Sequence, residues 1–166
     1  AEASFISGYS NIANSTYSFV TGRNNTASNS AVLVTGYNNK ANTVYSFVGG
    51  KGSKTIDKAG SSIAFGDTVI ASGYQTVAMN KKTEAYGNYS GAFGNNTKTS
   101  NTGEFTIGNY NITTTGSTLF SVGNGTSDTN RKNAFEITSD GKFYFNGNQI
   151  IEMTNNDIDT IINKYK

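Results

Sequence analysis

The 166-residue sequence contains no Cys, no His, no Pro and no Trp. Without Cys and His, the usual zinc sites, the Ser-His and Cys-His nucleophile pairs and any disulfide staple are excluded. Charge is also sparse: 13 basic against 11 acidic residues leave a net charge of +2. The strong positive field of a nucleic-acid binder is therefore missing, and no nucleic-acid partner is expected. No apolar run approaches the roughly 18 residues of a membrane span, so no membrane insertion is expected either. No signal peptide precedes the first repeat, and the chain opens on Ala1 rather than Met, which reads as a fragment or a processed product. The lack of Cys fits an extracellular location. Leu, Ile, Val and Phe are scarce for a conventional core, yet ten Tyr, ten Phe and the low net charge oppose disorder. A regular, polar, β-rich architecture satisfies both.

What the sequence does have is a repeat. Gly8, Gly22, Gly36, Gly50, Gly66, Gly94, Gly108 and Gly123 are separated by 14, 14, 14, 16, 28, 14 and 15 residues, and Asn80 stands midway in the longest gap. Five positions after this anchor stand Ala13, Ala27, Ala41, Thr55, Ala71, Ala85, Thr99 and Thr113, a column of small residues. Three before it are Phe5, Phe19, Leu33, Phe47, Ile63, Val77, Gly91 and Phe105; two before it, Ile6, Val20, Val34, Val48, Ala64, Ala78, Ala92 and Thr106. A 14-residue unit is too short for a helical hairpin and lacks a 3.6-residue period, so each unit is a β coil with one strand such as Ser18–Thr21 and a second such as Asn25–Ala27. Stacked at about 4.8 Å, eight coils make a rod about 38 Å long, and the absence of Pro follows because nearly every N–H must donate to the ladder.

In the first four coils the residues three and two before the anchor are both apolar. Side chains alternate along a strand, so one column points inward and the other forms an exposed stripe. The outward stripe is expected to be led by Val20, Val34 and Val48, and another copy of the chain to cover it. Phe5, Phe19, Leu33, Phe47, Ile63 and Phe105 complete the residues assigned to core or trimer contact, since three thin rolls around an axis form a closed arrangement.

Ser61-Ser62-Ile63-Ala64-Phe65-Gly66, followed by Ala71-Ser72-Gly73, resembles the head repeat of trimeric autotransporter adhesins, the YadA-like head. Ser90–Gly94 and Ala85-Tyr86-Gly87 are similar, with Gly91 in place of a hydrophobe assigned to the core. The resemblance covers about residues 3 to 116. It implies a left-handed parallel β-roll (β-solenoid), an obligate homotrimer and a role in adhesion. The expected organisation is all-β: a roll over 1–116, a β-hairpin cap over 117–149 and an amphipathic helix over 150–166. In the cap, Asn133–Thr138 and Lys142–Phe145 flank Ser139-Asp140-Gly141, a strong hairpin signal. Leu119–Phe145 resembles the module that follows such repeats in bacteriophage tail fibres. In the last segment Thr154 is an N-cap candidate, and Ile158, Ile161, Ile162 and Tyr165 share one helical face, which is expected to dock on the hairpin or to meet two other copies on the axis.

Tyr9, Arg23 and Tyr37 occupy the position after the anchor in successive coils, which predicts a cation–π ladder. Such a ladder either stabilises the roll alone or offers a flat strip on which sugar rings stack. Tyr17 and Tyr45, with Ala31 between them, form a second column with the same two readings. The two residues inserted between Gly50 and Gly66 predict a bulge over Lys51–Lys58, whose Lys51, Lys54 and Lys58 are candidates for ligand contact or a simple correction of coil twist. Six Asn-x-Ser/Thr sequons follow from the composition and are assigned no role. Asp128, Glu136, Asp140, Glu152, Asp157 and Asp159 show no pattern of a shared cleft, so no catalytic residue, metal or cofactor is assigned and the chain is read as non-enzymatic. The expectation is a virion tail-fibre fragment that binds a host-surface glycan or protein receptor alongside other tail components. A bacterial surface adhesin head and a purely structural spacer are the alternatives.

Overall fold

A computed structural model describes residues 3–56, 60–113, 117–150 and 155–164. Long and short strands alternate: β1 (Phe5–Tyr9), β2 (Ile12–Ala13), β3 (Phe19–Arg23), β4 (Thr26–Ala27), β5 (Leu33–Tyr37), β6 (Lys40–Ala41), β7 (Phe47–Lys51), β8 (Lys54–Thr55), β9 (Ile63–Asp67), β10 (Ile70–Ala71), β11 (Val77–Lys81), β12 (Glu84–Ala85), β13 (Gly91–Asn95), β14 (Lys98–Thr99) and β15 (Phe105–Asn109). After them come β16 (Thr118–Asn124), β17 (Asn133–Thr138), β18 (Phe143–Phe145), β19 (Asn148–Ile150) and α1 (Asn155–Lys164). The fold is an all-β parallel solenoid with coils of about 14 residues. Long strands stack in one sheet, short strands in a second of seven, and the first sheet continues through β15 and β16 into antiparallel β17, β18 and β19.

Register is set by the anchor. Gly8 pairs with Gly22, Gly22 with Gly36, Gly36 with Gly50, Gly50 with Gly66, and Gly66 with Asn80. The anchor glycines adopt positive φ, 103° at Gly22, and a Cβ added there would lie 2.2 Å from the Gly36 carbonyl oxygen. Asn80 holds the same conformation, with φ 91°, as the non-glycine residue type most tolerant of it.

The interior is narrow and takes small side chains from both sheets. Ala27, Ala41, Ala71 and Ala85 face it from the short strands, and Val20, Val34, Val48, Ala64, Ala78 and Ala92 from the long ones, all fully buried. This corrects the expected facing. The column of Val20, Val34 and Val48 lies inside, and the stripe on the outer face is the Phe5, Phe19 and Leu33 column, which is 38–54% exposed. The physical reason is width: opposite an alanine, a valine fits between the sheets and a phenylalanine does not. Gly91 is corrected with it. It sits in the outer column, where a Cβ would lie 2.8 Å from the Phe105 ring and 3.0 Å from that of Phe93, so it makes room for those rings.

In the first coils the interior also holds polar side chains bonded to backbone. Asn25 donates from Nδ2 to the carbonyls of Thr21 (2.8 Å) and Gly36 (2.7 Å) and accepts at Oδ1 from the Asn39 N–H (2.9 Å). Asn39 repeats the pattern with Thr35, Gly50 and the Ser53 N–H. This ladder of Asn11, Asn25 and Asn39, buried at Asn25 and Asn39, adds to the sequence reading an asparagine column at 14-residue spacing. It secures the turn between the two strands of the first three coils. Ser53 continues it, donating to the Gly66 carbonyl at 3.0 Å.

That continuation also corrects the expected bulge. Lys51 closes β7, Ser53 is buried, and Lys54 pairs with Lys40 and Ile70, so Lys51–Thr55 stay in the coil. The two extra residues fall between Ile56 and Gly60, because Gly60 already accepts from the Gln75 N–H in the ordinary coil register. Lys58 lies outside the described residues.

In the cap, β17 and β18 form the anticipated hairpin. Asp140 accepts from Thr138 Oγ1 (2.6 Å) and pairs with Lys142, which holds its carboxyl down at about 2. A further strand, β19, follows the turn at Asn146-Gly147, both at positive φ. Helix α1 leaves Ile158, Ile161 and Ile162 43–49% exposed, so its apolar face is not packed on the hairpin of its own chain. Thr154 and Tyr165 lie outside the described residues.

Ala27→Leu is expected to overpack the interior and cost about 1–3 kcal/mol, whereas Ser28→Leu, which faces away from it, is mild; urea unfolding of the two variants measures the difference. Asn39→Ala removes three hydrogen bonds and strands the Ser53 N–H, for an expected loss of about 3 kcal/mol. Lys40→Ala on the outer face changes stability by no more than about 0.5 kcal/mol in the same assay.

Candidate interaction surfaces

The outer face of the long-strand sheet carries three parallel columns, because residues three before, one before and one after the anchor all point away from the interior. The first is the apolar stripe. The rings of Phe5 and Phe19 stack within it at 4.8 Å, and two of its rings reach across to the neighbouring column, Phe47 to Phe65 at 5.4 Å and Phe105 to Phe93 at 5.1 Å. Contacts at 6.2–6.3 Å carry the row through Phe120 and Phe135 to Phe143 in the cap. The second column changes character along the rod, from Ser7, Thr21, Thr35 and Gly49 to Phe65, Met79, Phe93 and Ile107. The apolar surface therefore widens from the first coils toward the cap.

The third column is the ladder. In-register pairing puts Arg23 beside Tyr9 and Tyr37, and its guanidinium carbon lies 5.5 Å and 5.8 Å from the two ring centroids. Tyr9 is 66% and Tyr37 43% exposed, so each ring keeps open surface while the cation is held from both sides. Lys51 continues the column, paired with Tyr37 on one side and Asp67 on the other. Lys54 does not join it, because it sits on the outer face of the short-strand sheet next to Lys40.

Tyr17 and Tyr45 occupy the corner before the long strand, at the far side of the apolar stripe from the ladder. Both are exposed, at φ 57° and 55°, and the corner residue of every coil has this left-handed conformation whatever its side chain. The structure thus separates the two tyrosine columns by the width of a strand, about 20 Å. It adds Tyr89 to the corner column, with Tyr74 packed edge-on at 5.8 Å, a pair visible in the sequence only once the corner position is known.

Two carboxylates show how the surface and the interior differ. Glu84 on the outer short-strand face pairs with Lys98 at 3.1 Å and accepts from the Tyr86 hydroxyl at 2.6 Å; burial, with this bond, pushes the Tyr86 phenol up to about 12. Glu104 is inside, 1% exposed, in the column four before the anchor. Its Oε2 accepts from the N–H groups of Ser100 (2.8 Å) and Asn101 (2.9 Å), and its Oε1 accepts from Thr106 Oγ1 (3.3 Å). Burial nevertheless outweighs these bonds and raises its carboxyl above the ordinary 4.5. No protein-family model, curated protein or solved structure matches the chain.

A carboxyl raised on folding binds its proton more tightly in the folded state, so its contribution to stability is complete below about pH 4.5 and is lost as pH rises through its folded value. Stability measured from pH 4 to 8 is therefore expected to contain a falling component that is absent in Glu104→Gln; an unchanged profile in that variant would show that ionised Glu104 is not opposed by burial.

Proposed function

We propose that the chain is a non-enzymatic segment of a homotrimeric bacteriophage tail fibre that attaches to host-surface glycans through the Tyr9–Arg23–Tyr37 ladder. The observation that carries this reading is the exposed, rigid row of two phenol rings and a guanidinium on a stacked scaffold, a surface on which pyranose rings can stack while their hydroxyls meet the cation. The trimer is supported by the apolar stripe from Phe5 to Phe143, too continuous for a soluble monomer to leave open. The left-handed YadA-like roll implied by Ser61–Gly66 and Ala71–Gly73 has the same oligomeric form. The antiparallel cap after β16 favours a phage fibre over a bacterial adhesin head, whose roll would lead into a coiled-coil neck. A spacer without receptor contact is the second reading, favoured by the engagement of Arg23 on both of its faces within the chain.

Light scattering is expected to give three times the 17.6 kDa chain mass, and Phe19→Arg to release monomer. A stable, folded monomer of the parent chain would end the trimeric reading. Tyr37→Ala is expected to weaken attachment to host cells about tenfold, a loss of about 1.4 kcal/mol, with the melting temperature nearly unchanged. Lost stability without a specific loss of attachment would favour the spacer.

A further inference from the structure

The two sheets end at different places. The short-strand sheet stops at β14, whereas the long-strand sheet runs on through β19. Register tells which side is left open. Ser121, fully buried in the roll interior, pairs with Glu136, and Glu136 with Tyr144, so these side chains share the inward side, while Phe120, Ile137 and Phe143 share the outer one. On the inward side lies a cleft of about 400 Å³, facing away from the apolar stripe and bounded by Asn124, Lys132, Asn133, Glu136, Tyr144 and Asn146.

Two of its polar groups, Glu136 and Asn133, are held by hydrogen bonds. Glu136 accepts from Thr118 Oγ1 at 2.6 Å on one oxygen and from Asn133 Nδ2 at 3.0 Å on the other. Asn133 is itself held, its Oδ1 accepting from the Ile112 N–H at 2.9 Å. A carboxylate with Thr118 and Asn133 among its partners, a lysine lining the same cleft, side-chain amides that both donate and accept, and a half-buried phenol ring form a set that matches several ligand hydroxyls at once. Charge decides among ligand classes. One cation balances one anion, so a phosphate or sulfate meets the carboxylate, and a divalent cation finds a single carboxylate where it needs several. A purely apolar ligand would cover the carboxylate and amides without replacing their water.

We propose that this cleft binds one neutral sugar residue of a glycan, with Glu136 accepting from its hydroxyls, Lys132 and the Asn124 and Asn146 amides donating to them, and Tyr144 providing an apolar wall. The ligand class is shared with the proposed function and rests on that reading for its source, a surface glycan; the residues are entirely different from those of the ladder.

Saturation-transfer NMR on the intact protein, with methyl galactoside, methyl glucoside and N-acetylglucosamine as probes, tests the assignment. At least one sugar is expected to give transfer with millimolar affinity. Combining Lys132→Ala with Asn146→Gly, which keeps a turn-competent residue at the positive-φ position, should weaken at least about tenfold the binding that remains in an Arg23→Ala background, where the ladder no longer contributes. Tyr144→Leu, which keeps an apolar strand residue, should do the same as the double variant and guards against a folding defect in it. In that background, transfer that survives both cleft variants, or none from any probe, overturns the cleft. Transfer abolished by Arg23→Ala alone also overturns it while upholding the ladder, and cleft binding that persists in fibres unable to attach to cells leaves the cleft standing and removes the attachment role.

Discussion

The distance between an anchor position and the carbonyl of the next coil governs the rest of the structure. At Gly36 a Cβ would lie 2.1 Å from the Gly50 oxygen, and similar contacts recur from Gly8 to Gly108. Backbone that close leaves one conformation and one register, so every other residue of the coil inherits a fixed place relative to its copy 14 residues on. Aromatic stacking at 4.8 Å, the Arg23 ladder and the asparagine bonds all follow from that single alignment. A one-residue slip would break them together.

Tight stacking brings a narrow interior, and a narrow interior cannot supply much hydrophobic stabilisation. Its valines and alanines are supplemented by side chains that bond to backbone across coils: Asn25 and Asn39 on one side, Ser62 and Thr76 on the other, where the Thr76 N–H donates to Ser62 Oγ at 3.0 Å. Such groups stabilise because leaving them unbonded in a dry interior would be costly. The larger apolar side chains are displaced to the outside, which is why a chain with a modest core carries so long an apolar stripe. Core and surface have exchanged their usual residue types for a steric reason.

The period, the anchor and the small-residue column were legible because each is a repeated choice at one position, and the Asp140-Gly141 hairpin because it is local chemistry. The facing of the two apolar columns was not. Phe19 and Val20 are equally hydrophobic, and only the space opposite Ala27 distinguishes them. The asparagine ladder was present in the spacing of Asn11, Asn25 and Asn39, but asparagine is so common in this chain that its recurrence did not stand out. The position of the two extra residues depended on Ser53 replacing asparagine in that ladder, a tertiary substitution that no local pattern announces. The Tyr9, Arg23 and Tyr37 ladder could be placed from register alone, whereas the cleft under β17 and β18 required knowing where the second sheet stops.

The stacking direction has a mechanical consequence. Hydrogen bonds between coils run along the rod, so a pull on the two chain ends peels the terminal coil from its neighbour and loads the bonds of that junction one after another. When a junction yields, its coil of 14 residues unwinds to at most about 48 Å of extended chain, some ten times the ~4.8 Å it occupied in the stack. Each coil released thus takes up slack and relieves the tension on its neighbours, so a tethered rod of this kind would lengthen in discrete, nearly equal steps before its attachment at either end is strained.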